Sequence, residues 1–267
     1  MIDFMRTIVM LCCYASLCVV ASTVTANEIS FLYIGEVDSA AHLGARQGLS
    51  EANAQGEFLN TQYILSVASP GQAKDPLPTA IIAAVSAVRL AKIADEYRDV
   101  PILNIAASDA FLRENCRDNL FHIGASDTML ADAERQWQRK MPGTPARAQI
   151  WHKSFRKYAA GQLNSRFTKQ FGQIMNDDSW SGWAAVKLLA DTIVRQPSLS
   201  GIYLIEELKT NLAFDGQKGT HMSFRETGQL RQPLLLVDDD KIVGEAPVRG
   251  IVNSANLDSL GIEFCPK

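Results

Sequence analysis

ISFLYIG at residues 29–35 and QYILSVA at residues 62–68 decide how the chain folds. Each is a short apolar run with turn chemistry close by, the look of a strand buried on both faces of a parallel sheet. Between them, Asp38 or Ser39 can cap a helix. That helix carries Ala41, Ala45, Leu49 and Ala52 on one face with Gly44 and Gly48 beside them. Side chains this small permit close packing on a sheet. Asn53 to Gly56 ends the helix before the second strand.

Residues 69–78 are rich in Pro, Gly, Lys and Asp, and read as a loop instead of a crossover helix. AIIAAVSA at 80–87 is either a third buried strand or the start of a long helix; periodicity does not separate the two in so short a run. Residues 88–98 read as helix, with Leu90, Ile93, Ala94 and Tyr97 facing inward. Pro101 opens a fourth strand at 102–106, LFHIG at 120–124 is a fifth, and 127–140 is a charged helix. Repeated strand–helix order implies a parallel sheet covered on both faces. MPGTPAR at 141–147 breaks the pattern. Helices follow at 153–171, 179–195 and 200–212. Short strands come last, at 219–224, 232–237 and 241–244, with turns at Thr227-Gly228 and Asp238 to Asp240. The expected class is α/β: an open, mostly parallel sheet with helices on both faces and C-terminal β-hairpins.

The first 26 residues have the pattern of a cleavable signal peptide: Arg6, an uncharged apolar run at 7–20, then small residues ending Val24-Thr25-Ala26. The run is shorter than the ~20 apolar residues a spanning helix needs, and Leu17 before Cys18 is too large for lipoprotein processing. The expected product is a periplasmic domain of residues 27–267 with no membrane insertion after cleavage. Two of the five cysteines then remain, Cys116 and Cys265. In an oxidising compartment they are a disulfide pair; neither has a His or Cys at metal-ligand spacing. Net charge is −3, and no basic stripe interleaved with aromatics suggests nucleic acid.

Three stretches resemble a known family. GARQGLSEANAQGEFLNTQYIL (44–65) and LRENCRDNLFHIGASDTMLADA (112–133) resemble the first lobe of type I periplasmic binding proteins, the branched-chain amino-acid binding relatives of ABC importers. SRFTKQFGQIM, WSGWAAVKLL, FDGQKGTHMSFRETGQLRQPLLLV and NLDSLGIEF, in that order, resemble one subfamily: the ABC substrate-binding protein encoded with PQQ-dependent alcohol dehydrogenase systems. The resemblance implies a non-catalytic protein with a small-molecule ligand, no cofactor of its own, and an ABC permease or periplasmic dehydrogenase as partner. It also implies a departure. Trp151-His152-Lys153 resembles a much later family segment than its distance from Trp137 allows, so most of a second lobe, roughly a hundred residues, is expected to be missing near 138–152. Ser179 precedes Trp180 where the family often has Asp. Oligomerisation would be one way to cover what a lost lobe exposes.

In open parallel sheets, ligands sit beyond the carboxyl ends of the strands. That directs attention to Glu36, Val37 and Asp38, to Ser86 and Ala87, and to Ala107, Ser108 and Asp109. Helix N-termini there suit a carboxylate or phosphate. The family holds a ligand's carboxylate with small and hydroxyl residues after its third and fourth strands, and Ser86 and Ser108 match best. Ser108 and Asp109 also suit plain turn capping. Trp180 and Trp183, three apart on one helix, are either core or a stacking surface for a ligand. Asp238 to Asp240 lacks the spaced ligands of a calcium loop and reads as a hairpin turn. No nucleophile elbow, zinc-protease motif, P-loop or dinucleotide fingerprint is present. The four histidines, His42, His122, His152 and His221, are scattered singly, so no enzyme activity is expected.

Overall fold

The computed structural model describes residues 27–67, 76–262, 264 and 265. The expected signal peptide and most of the 69–78 loop lie outside the described residues. Strands β1 (Asn27–Ile34), β2 (Thr61–Val67), β3 (Ala80–Ala83), β4 (Ile102–Asn104) and β5 (Leu120–His122) form a parallel sheet in the order β2-β1-β3-β4-β5. Phe31 lies between Leu65 and Ala80, which sets the register. Residues 80–87 divide: the first four are strand, and only Ala87 begins helix α2 (Ala87–Glu96). Ile81 and Ile82 occupy the fully buried centre of the sheet, with β1 on one side and β4 on the other. Such a position favours β-branched side chains on a pleated surface.

Leu32, Ile34, Ile81, Ile102 and Leu120 pack toward α2 on one face of the sheet. Phe31, Tyr33, Ile82, Leu103 and Phe121 pack on the other, toward helices α1 (Ala40–Gly56) and α6 (Asp177–Arg195). The cap of α1 is Ser39, whose hydroxyl accepts from the His42 N–H at 3.3 Å. The small-residue face of α1 does not simply rest on the sheet, as expected; it meets α6 backbone to backbone. A Cβ at Gly44 would collide with the Ser179 carbonyl oxygen, and one at Gly182 with that of Ala41. One at Gly48 would stand 2.8 Å from the Trp183 carbonyl oxygen. The two helices run in the same direction, with Trp183 donating its indole N–H to Glu51 at 2.9 Å. Burial raises the Glu51 pKa, but hydrogen bonds from Arg166, Trp183 and Gln47 outweigh it and leave the carboxyl below its usual value.

Helix α4 (Asp127–Lys140) leaves the large sheet and packs on a second, antiparallel one. Its order is β6 (Arg147–Gln149), β7 (Leu234–Asp238), β8 (Lys241–Ala246). Sequence reading missed β6, because three residues show no alternation. The β7–β8 turn has Asp239 and Asp240 at φ 43° and 64°, the left-handed pair that a two-residue hairpin needs. The expected helix at 153–171 begins only at Ala160, as α5 (Ala160–Phe171). Tyr158 and Ala159 adopt positive φ and break it. Asn164 then accepts the Trp151 indole N–H and donates to the carbonyls of His152, Lys153 and Phe155. The expected strand at 219–224 reduces to isolated bridges, Phe214 with Met222 and Phe224 with Leu230. Helices α3 (Phe111–Glu114) and α7 (Gly201–Thr210) complete the fold. No helix among the described residues is long and apolar enough to cross a membrane.

Cys116 and Cys265 are joined, as expected, across a sequence separation of 149. The same C-terminal segment is tied down by polar contacts. Arg225 donates to the carbonyls of Leu257 and Ile262, Arg231 pairs with Asp258 at 2.7 Å, and the Gly261 N–H reaches Asp132.

Two outcomes follow for stability. Gly44→Ala should cost about 3 kcal/mol or more, because backbone lies where the methyl must go, whereas Gly161→Ala, with only ordinary contacts around the new methyl, should gain up to ~1 kcal/mol. Urea midpoints of the two variants will separate them. Loss of the disulfide in a Cys116→Ser, Cys265→Ser variant should cost about 5 kcal/mol on the chain-entropy argument for so long a loop, read the same way. Two alkylatable thiols in exported wild-type protein would contradict the pairing.

Candidate functional site

The carboxyl edge of the parallel sheet is built from the residues after β1, β3, β4 and β5. Neighbouring strands lie about 4.8 Å apart, so these loops stand side by side. After β1, Gly35 packs so closely that a Cβ would sit 2.8 Å from the Tyr33 hydroxyl. The Ser39 hydroxyl donates to the Glu36 carbonyl at 2.8 Å. Asp38, at φ 61°, donates its N–H to His42 Nδ1 at 3.0 Å. Burial, reinforced by Arg46, lowers the His42 pKa against the pull of Asp38. Glu36, Val37 and Asp38 are exposed, and Asp38 meets Arg46 in a surface ion pair.

After β3, Ser86 stands at the N-terminus of α2 with extended backbone, yet its hydroxyl makes no capping bond. After β4, the loop is moulded by Asn104. Its Oδ1 accepts from the N–H groups of Ala106 and Ala107, and its Nδ2 donates to the Ala107 carbonyl at 2.7 Å and to His122 Nδ1 at 2.9 Å. The His122 proton therefore sits on Nε2, which is buried without a hydrogen-bond partner among the described residues. Burial, together with Arg113, holds the His122 pKa well below its usual value, so the ring is neutral.

Arg113 is the residue that sequence reading overlooked. The residue is 1% exposed, and its guanidinium donates to the carbonyls of Ala107, Asp109 and Gly124 and to Gln229 Oε1. Burial lowers its pKa to about 10, opposed by Asp127 and Asp109. One side chain thus locks the β4 loop to the end of β5. Within FLREN nothing marks that arginine as buried. Asn104, a polar residue inside an apolar strand, was a usable signal.

Glu36, Asp38, Ser86, Ala107, Ser108 and Asp109 are therefore carried to one edge by adjacent strands. Neither Ser108 nor Asp109 caps α3 by its side chain. The side chains of Glu36, Ser86, Ser108 and Asp109 make no hydrogen bond among the described residues. Trp180 joins none of them. It is fully buried, donates its N–H to the Gly216 carbonyl, stacks on Trp151, and has the Lys218 ammonium 4.1 Å from its ring centre. Both of its faces are occupied. His152 pairs with Asp240 at the hairpin turn.

No protein-family model matches the sequence, and no curated protein is similar to it. Solved structures are. A branched-chain amino acid ABC transporter periplasmic ligand-binding protein from Burkholderia xenovorans LB400 has a TM-score of 0.66 at 11% identity, over 81% of this chain and 95% of that one. The fold is that of one lobe of a periplasmic binding protein. An ABC transporter substrate-binding protein from Desulfitobacterium hafniense gives 0.66 at 12% identity, over 81% of this chain and 99% of that chain. A leucine binding protein from Thermotoga maritima gives 0.60 at 12%, over 82% and 98%. In a periplasmic binding protein-like sheet the exposed carboxyl edge is the natural place for a ligand.

The buried Lys218 beside Trp180 supplies a test of this packing. Its ammonium donates to Gln232 Oε1 and the Pro233 carbonyl, and burial lowers its pKa to about 7 against the attraction of Asp177. An unfolded lysine titrates near 10.4. Between those values the unfolded chain holds the extra proton, so Lys218 makes the protein more stable as pH rises from about 7 to about 10. Subtracting the urea-unfolding free energies of Lys218→Met from those of wild type across that range should leave a rising difference; a flat difference would contradict the burial.

Proposed function

We propose that this protein acts in the periplasm as a non-catalytic, substrate-binding component of the ABC-import type, offering one lobe's binding edge with little or no second lobe to close on it. The observation that carries this reading is the open carboxyl edge, where Glu36, Ser86, Ser108 and Asp109 are left unbonded. The two hydroxyls and the N-terminus of α2 suit a carboxylate. Glu36, Asp38 and Asp109 suit an ammonium. Together they favour a small zwitterion such as an amino acid, and the Desulfitobacterium hafniense protein has a structure described as a complex with Leu. The ordered C-terminal segments that resemble the PQQ-associated subfamily support an accessory role in PQQ-dependent alcohol oxidation, with an ABC permease or periplasmic dehydrogenase as partner.

A two-lobed site buries most of a small ligand. A single edge covers about half of it, so the affinity expected for leucine is in the millimolar range, about −4 kcal/mol. Titrating leucine into the isotope-labelled mature protein should shift amide signals of residues 36–38, 86 and 106–109 in fast exchange. Sub-micromolar one-to-one capture by the monomer would overturn the open-edge reading, and silence at those residues at roughly tens of millimolar would overturn ligand binding there.

A second reading is a protein-docking module. Val37, Val88 and Phe111 are 53%, 63% and 37% exposed on the loops and helix starts of the same edge, and apolar groups set among carboxylates are common at interfaces. Light scattering that finds a strict monomer would weigh against self-association through this edge.

A further inference from the structure

A cavity of about 790 Å³ opens between the C-terminal end of α4, strand β8, and the segments 154–157 and 247–254. It lies apart from the sheet edge. Ser126, at the edge, and Lys140, on the cavity, are separated by the length of α4, about 20 Å at 1.5 Å per residue. The volume is in the range of small-molecule sites.

Trp137 and Phe155, both largely buried, line the cavity beside Ile242 and Val243. The Trp137 indole N–H donates to the Thr144 carbonyl at 3.0 Å, so it is not available to a ligand. The six-membered part of the ring lies against Gly244, where a Cβ would stand 2.9 Å from it. Glycine at that strand position is what admits the indole.

The rim is cationic: Lys140, Arg156, Lys157 and Arg249 surround a single carboxylate, Glu245. In a chain whose net charge is −3, this is a local reversal of sign. Two of the cations are committed. Lys157 pairs with Glu245 at 2.7 Å, and Lys140 donates to the Arg249 carbonyl at 3.0 Å. The guanidinium groups of Arg156 and Arg249 are exposed and have no hydrogen bond or ion pair among the described residues. A guanidinium offers a planar fork of donors that matches a carboxylate two bonds at a time.

We propose that this groove is a second binding site, for a small carboxylate with a flat apolar body: the carboxylate on Arg156 and Arg249, the body on Trp137 and Phe155. Unlike the sheet edge, it offers no set of carboxylates for an ammonium, and it is independent of ligand binding there. Benzoate is the probe, titrated at constant ionic strength into isotope-labelled mature protein. Saturable shifts at residues 140, 156, 243–245 and 249 are expected, with a dissociation constant of roughly 0.1–1 mM. Acetate, which has the same head and no ring, should bind at least tenfold more weakly. The Arg156→Ala, Arg249→Ala double variant should weaken benzoate at least tenfold, whereas Asp109→Ala at the sheet edge should leave it unchanged. Both arginines are exposed, so the double variant is expected to melt like wild type, and that is checked alongside. The proposal is overturned if benzoate fails to saturate, if its shifts fall at 36–38, 86 and 106–109, if acetate binds as well, or if the double variant binds equally.

Discussion

The contact between α1 and α6 carries the architecture. Gly44 and Gly48 on one helix and Gly182 on the other remove the methyl groups that would hold two helix backbones apart. The helices therefore approach more closely than ordinary side-chain packing allows. This contact brings a C-terminal helix onto the first βα unit. Glu51 then receives Trp183 and Arg166 at its margin, and Tyr63 reaches the Ala190 carbonyl. Without it, the face of the sheet carrying Phe31, Tyr33 and Ile82 would lose the cover that α6 provides.

The edge of the sheet is organised by buried polar groups. Asn104 moulds the loop after β4 through three hydrogen bonds and ties it to His122 on β5 by a fourth, and Arg113 holds that loop to the end of β5 and to Gln229 through carbonyl oxygens. A buried guanidinium is costly without partners, and three backbone carbonyls with the Gln229 side-chain oxygen satisfy it without an ion pair. The result is an exposed rim on a rigid base. The side chains of Glu36, Ser86, Ser108 and Asp109 make no hydrogen bond among the described residues, so they do not hold the loops in shape.

Charge is distributed unevenly over the molecule. Glu36, Asp38 and Asp109 stand at one end of the sheet, while Lys140, Arg156, Lys157 and Arg249 ring the groove beside the small antiparallel sheet. A net charge of −3 conceals this separation. Helix α4 spans the distance between the two regions.

The sequence by itself determined the α/β class, four of the five parallel strands, the helix at 127–140, the cysteine pair and the β7–β8 turn. Each rests on local physics: apolar runs of strand length, a charge-rich helical stretch, two cysteines outside the expected signal peptide, and a run of aspartates that reads as a hairpin turn. The family resemblance reached the lobe that the solved structures then matched. Residues 80–87 could not be resolved from periodicity, and became strand because β1 and β4 were waiting on either side. The late start of α5, the missed β6 and the bridges around 219–230 were settled by partners distant in sequence. So were the inward turn of Arg113, the occupation of both faces of Trp180, and the gathering of four cations from three segments around Trp137. A residue's environment is made by what packs against it, and in this chain those partners come from far along the sequence.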